Sequence, residues 1–258
     1  MHMTRMRHPM KKFDSLEQIQ SYPYPDFINA DYSHILDQVK EINAKGLAST
    51  FVMGDMVWEI AWYMYGMEEL MMDMVMEDEK AIFILDKVTE LSCHRAMKFA
   101  EAGLDVLHTG DDVGMQQAMM MAPDLWKKWL KPRMAKVIKA AKDAKPDIIF
   151  SYHSCGFIEP IIEDLIEVGI DVLNPVQPEC MDFEDIHARF GDKLSFWGTI
   201  GTQTTMPFGS PEEVSQEVRR NLEIAGEKGG LLCTPTHLLE PEVPWANINA
   251  YVKACKSF

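Results

Sequence analysis

Six short runs rich in Val, Ile, Leu or Phe, at about 48–53, 104–109, 147–152, 170–174, 194–198 and 230–234, alternate along the chain with stretches of helical period. This alternation constrains the fold more than any other feature. Strand–helix–strand units set consecutive strands parallel in one sheet, joined by right-handed crossovers. The helical stretches carry their own punctuation. Between 211 and 228, Ser210 is set to cap, Pro211 suits the first turn and Glu213 completes a capping box. Val214, Val218, Leu222 and Ala225 then recur on one face, with Gly229 as the expected stop. Pro123 to Lys145 repeats the pattern, with Trp126, Leu130, Met134, Val137 and Ala141 on one stripe and Pro146 ending it. Further helices are expected at 32–45 and around Ile161 and Leu165.

A chain of 258 residues is long enough for a single (β/α)8 TIM barrel. Six strands fall two short of eight, so the expected fold is a TIM-barrel-like α/β domain that is incomplete at its N-terminus. Residues 1–31, with the Tyr22-Pro23-Tyr24-Pro25 stretch, read as an irregular N-terminal segment, because prolines at that spacing do not fit buried parallel strands. Residues 32–258 read as one barrel domain.

The formal charge of -15 repels phosphate backbones and anionic lipid, which argues against a nucleic-acid or membrane-surface role. Positive charge clusters only between Arg5 and Lys12, and no apolar stretch follows to make a targeting segment. No run approaches the roughly 18 apolar residues a membrane span requires. Five cysteines, an odd and sparse set, do not form the framework of a small secreted protein, so a reducing cytoplasm is the expected compartment. Eight methionines between Met53 and Met76, mixed with Trp58, Trp62, Tyr63 and Tyr65, read first as core packing. The other readings of that segment are a wall for a large apolar cofactor and a cover for an open sheet edge.

Polar residues gather where strands end: Gly110-Asp111-Asp112, His153–Gly156, Asn174–Gln177, Thr199–Thr204 and Cys233–His237. In a barrel those ends share one mouth. His153, Cys155 and Cys233 form a three-ligand set, since an imidazole and two thiolates suit zinc and leave a fourth position open for chemistry. Cys93, Cys180 and Cys255 are read as structural or incidental. Asp111 and Asp112 read either as an acid–base or substrate-orienting pair, or with one of them capping a helix near Gly114. Gln177, Gln203 and His237 offer hydrogen bonds or spare ligation on the same face, and Gln177 is a candidate for the vacant zinc position.

Taken together, Gly110-Asp111-Asp112 with Gln116, His153-Ser154-Cys155-Gly156, Asp171–Gln177, Gly198–Gln203, Gly209–Val214 and Gly229–His237 resemble the uroporphyrinogen decarboxylase superfamily. The branch they resemble is that of corrinoid-linked, zinc-dependent methyltransferases, from about residue 45 to the C-terminus. The resemblance implies an eight-stranded barrel whose first two strands precede this sequence. It also implies zinc on His153, Cys155 and Cys233, a corrinoid-binding partner protein, and a small-molecule methyl donor or acceptor. Asp111, Asp112 and His237 are the expected catalytic residues, and Gln116, Gln177 and Gln203 the expected cofactor-facing ones. Homo-oligomerisation is a further expectation.

Two other functions stay open at this point. True decarboxylation of a substrate with many carboxylates requires arginines in the barrel mouth, whereas all seven arginines here lie in the tail or in expected helices. The last reading is a catalytically silent barrel fragment that binds a partner subunit or pairs with a second copy.

Overall fold

The computed structural model describes residues 6–226 and 229–258. Six strands form one parallel sheet in the order of the sequence: β1 (Thr50–Asp55), β2 (Val106–Gly110), β3 (Ile149–His153), β4 (Val172–Asn174), β5 (Ser195–Trp197) and β6 (Leu231–Leu232). β1 and β6 stand at the two ends of that order, so among the described residues the sheet is open. Each strand falls within or beside its expected run.

The helices are α1 (Leu16–Gln20), α2 (Ser33–Asn43), α3 (Trp58–Tyr65), α4 (Met67–Met76), α5 (Glu79–Glu101), α6 (Pro123–Trp129) and α7 (Lys131–Ala144), then α8 (Ile162–Val168), α9 (Phe183–Phe190), α10 (Thr205–Phe208), α11 (Pro211–Ala225) and α12 (Trp245–Ser257). None is long and apolar enough to cross a membrane.

The chain divides into two compact units. The first takes residues up to Asp111, with Met121–Phe150 and Glu167–Gly169; the second takes Asp112–Met120, Ser151–Ile166 and everything from Ile170. In the first, α5 packs along α7 over a core that includes Trp58, Leu70, Met74, Ile84, Leu85 and Trp126, all fully buried. The methionine-rich segment therefore divides: Met53, Met56 and Met74 enter this core, while Met72 and Met76 face outward. In the second unit, α11 and α12 close over Ile200, Met206, Val214, Val218, Cys233, Val243 and Ala254.

Two local features show how the sequence sets these elements. Ser210 accepts the N–H of Glu213, and the Glu213 carboxylate accepts the N–H of Ser210, so α11 starts on the expected capping box. It ends earlier than expected, at Ala225 before Gly226 at φ 64°; residues 227 and 228 lie outside the described residues. The single helix expected from Pro123 to Lys145 is two. Pro132 has no N–H to donate, and the chain breaks at Leu130 so that Pro132 falls in the first turn of α7. Within residues 1–31, Leu16–Gln20 is helical and is capped by Ser15.

Candidate metal centre

β3 ends on His153, and the four residues that follow are pinned one by one. The N–H of Ser154 donates to the Asn174 carbonyl at 2.9 Å, that of Cys155 to Asp112 Oδ1 at 2.8 Å, that of Gly156 to Gln177 Oε1, and that of Phe157 to the Met115 carbonyl at 2.7 Å. A turn with every donor satisfied holds its side chains in one orientation. Gly156, at φ 82°, lies so close to the opposing loop that a Cβ would stand 2.6 Å from the backbone carbon of Gly114. Only glycine fits there.

Three candidate donor atoms meet at this turn, two of them its own. His153 Nε2 and Cys155 Sγ are 3.4 Å apart, and a nitrogen of His237 joins them so that one ligand atom from each residue lies within 4.8 Å of the others. Tetrahedral zinc with its usual bond lengths separates a nitrogen and a sulfur ligand by about 3.5 Å, so the observed His153–Cys155 spacing fits one edge of such a site. Asp112 Oδ1 is 3.6 Å from His153 Nε2. Lone-pair-bearing atoms gathered this closely repel unless a proton or a cation lies among them, and an imidazole–thiolate–imidazole set suits zinc. The residues present therefore fit the metal the sequence implied.

The third donor is not the expected one. Cys233 is absent from this group. It follows Leu232, an exposed residue of β6, and the alternation of the strand turns it inward to the apolar cluster beneath α11 and α12. Burial pushes its thiol up to about 12, with the neighbouring Cys255 adding to the rise. The chain then runs on beside the residues that follow β5: the N–H groups of Thr199 and Ile200 donate to the Thr234 carbonyl, and that of Thr236 to the Ile200 carbonyl. This extension brings exposed His237 to the other two donors. The sequence marked His237 as a catalytic or spare-ligand residue, and the structure makes it the third member of the cluster.

The two adjacent aspartates serve different segments. Asp111 is buried and its carboxylate accepts the N–H groups of Val57 at 2.9 Å and Glu59 at 3.0 Å, capping the start of α3 within the first unit. Burial pushes its carboxyl up to about 7, although those N–H donors work in the opposite direction. Asp112 belongs to the second unit and holds the Cys155 turn. The helix considered near Gly114 does not form; Gly114 and Met119 make an antiparallel bridge instead.

Of the three glutamines, Gln177 is buried and spends its side-chain oxygen on Gly156. Exposed Gln116 donates to the Glu179 carbonyl at 3.2 Å, and exposed Gln203 offers its backbone N–H to the Glu179 carboxylate at 3.1 Å. Sequence reasoning missed Glu179, which also accepts from the Thr204 hydroxyl. It marked Asn174 only within the polar segment Asn174–Gln177 and gave no role to its side chain, which bonds His153 Nδ1 at 2.6 Å. A strand-end polar residue next to the His-x-Cys strand was the available signal for Asn174.

Residues 4–258 match the family model described as uroporphyrinogen decarboxylase (URO-D). The chain belongs to that family. Relatives within reach of this family member include a uroporphyrinogen decarboxylase of Pseudoalteromonas atlantica, 24% identical over 96% of the chain and 70% of the relative. They also include a methylated-thiol–coenzyme M methyltransferase of Methanosarcina mazei, 23% identical over 76% of the chain and 50% of the relative. A decarboxylase of Chlorobium limicola is likewise matched over half its length. Among solved structures, a methyltransferase from Methanosarcina mazei superposes with a TM-score of 0.75 at 22% identity, covering 97% of this family member and 71% of that chain. That likeness establishes the barrel-type fold.

Proposed function

We propose that this family member is a zinc-dependent methyltransferase, moving a methyl group between a corrinoid carried by a partner protein and a small thiol, amine or ether. The observation that carries this reading is the convergence of His153, Cys155 and His237 on one point. The likeness to a methylated-thiol–coenzyme M methyltransferase supports it. Zinc held by one thiolate and two neutral imidazoles has a formal charge of about +1, against about zero for the expected two-thiolate set, and supplies Lewis acidity toward a bound thiol or a leaving heteroatom.

The chain's own groups divide the remaining work. Cys155 would provide the thiolate ligand, on a turn whose backbone donors are all engaged. Asp112, whose carboxylate accepts the Cys155 N–H and so holds that turn, is the carboxylate that takes or returns the proton of a thiol, amine or alcohol. The five cysteines form no disulfide, which suits a cytoplasmic setting.

A second reading, decarboxylation of a porphyrinogen, draws on the decarboxylase relatives. Four of the seven arginines stand against it. Arg95 donates to the Met53 carbonyl, Arg133 pairs with Asp86, Arg189 with Glu159 and Asp185, and Arg220 with Glu184. A substrate with many carboxylates needs such groups uncommitted.

The test is metal analysis of the purified protein together with methyl transfer from methylcobalamin to a small thiol. About one zinc per chain, lost along with transfer in Cys155→Ser, is the expected result. Full transfer by metal-free protein, or stepwise loss of carbon dioxide from uroporphyrinogen, overturns it.

A further inference from the structure

We propose that Asn174 is a positioning residue for this centre, its carboxamide fixing His153 in the Nδ1–H tautomer so that the Nε2 lone pair is presented to Cys155 and His237. What the centre holds rests on the zinc reading above; the tautomer itself does not.

β3 and β4 run parallel with His153 opposite Asn174, so the two side chains leave the sheet on the same side. Asn174 Oδ1 and His153 Nδ1 are 2.6 Å apart. A carboxamide can present either its oxygen or its NH2 group to a ring nitrogen, and the other end decides which. Here Nδ2 is 2.7 Å from the carbonyl oxygen of Trp197 at the end of β5, an atom that can only accept. The NH2 group must therefore face Trp197, and the carboxamide oxygen must face His153. That oxygen only accepts, so the proton of a neutral imidazole lies on Nδ1. Nε2 is left with its lone pair, 3.4 Å from Cys155 Sγ.

The choice of a neutral amide has its own consequence. A carboxylate at 174 would favour the imidazolium, whose second proton occupies the ligand lone pair, whereas the amide selects a tautomer without adding charge. Asn174 is buried, with 8% of its surface exposed, so water does not compete for either bond. Its backbone carbonyl also accepts the N–H of Ser154, which ties the start of the His-x-Cys turn to the same residue.

Two measurements test the assignment. Long-range 1H–15N correlation of the metal-free protein, at a pH where imidazole is neutral, reports the tautomer directly. Nδ1–H at His153 is expected, and a predominant Nε2–H form overturns the proposal. Zinc affinity, read by competition with a chromophoric chelator at a pH where the imidazole is neutral in every variant, is then compared in Asn174→Leu and Asn174→Asp. Both variants lose the bond to Trp197, but only Asp keeps an acceptor for Nδ1–H. Binding about 10–100-fold weaker in Asn174→Leu and within about threefold of the parent in Asn174→Asp is expected for an outer partner of a metal-binding histidine. Unchanged affinity in the leucine variant, or equal loss in both, overturns it. If the parent protein binds no zinc, the function proposed above fails, and the tautomer measurement still decides this inference.

Discussion

The ends of β3 and β6 deliver candidate ligands in different ways. At β3 the two donors lie two residues apart on one turn, and the backbone bonds that fix the turn come from residues immediately around it or on the adjacent loops. At β6 the cysteine that looked like a ligand turns into the core, and the candidate donor arrives four residues later, on an extension held against the residues that follow β5. A short spacing within a turn can be read from sequence because few conformations satisfy it. A ligand beyond a strand end depends on which face the alternation exposes and on how far the pairing continues, and both are set by the neighbouring strand.

The sharpest way to break this comparison is to exchange the roles of Cys233 and His237. His237→Ala, like Cys155→Ala, is expected to weaken zinc binding by more than the roughly 100-fold that loss of an outer-shell partner costs, measured by chelator competition. Cys233→Ala is expected to leave affinity within about threefold, because a site outside the cluster acts independently. Strong loss of metal in Cys233→Ala with retention in His237→Ala would restore the pairing expected from sequence.

Asp111 extends the contrast to the helices, since it caps α3 from about fifty residues away in sequence, whereas Ser210 caps α11 from the adjoining position. Asp111→Ala strands several backbone donors in a buried setting and is expected to cost about 2–3 kcal/mol in chemical denaturation. Its pH signature has a definite sign. With the folded carboxyl near 7 and the unfolded one at its ordinary value of 3.8, the native state holds the proton more tightly. The resulting stabilisation is full below the unfolded value and declines as pH rises towards and through about 7. Subtracting the pH–stability profile of Asp111→Asn from that of the parent isolates it, and a difference that rises with pH across this window contradicts the assignment.

The core position of Cys233 predicts a smaller effect. Cys233→Ala is expected to lower stability by about 1 kcal/mol, through lost contacts in the cluster under α11 and α12. Ser210→Ala, at the helix start dictated locally, is expected to cost about 1 kcal/mol or less at this exposed cap, read from the denaturation midpoint.

The strands were legible because each is a short apolar run between helical periods, and α11 because Ser210, Pro211 and Glu213 are its own neighbours in sequence. The division of Pro123–Lys145 was also written there, in Pro132, although the apolar stripe concealed it. His153 and Cys155 were legible as a pair for the same reason of proximity. The role of Asn174 was not, since its partner lies 21 residues away and meets it only through strand pairing.

By itself, then, the sequence determined the alternating elements, the parallel order they favour and the His-x-Cys turn, because periodicity, caps and short spacings act over a few residues. The tertiary structure alone decided that His237 rather than Cys233 lies with His153 and Cys155, that Asp111 and Asp112 bond different segments, and that Asn174 faces His153. Each depends on contacts between segments distant in the chain, where register and burial, not local preference, select which side chain is turned to the site.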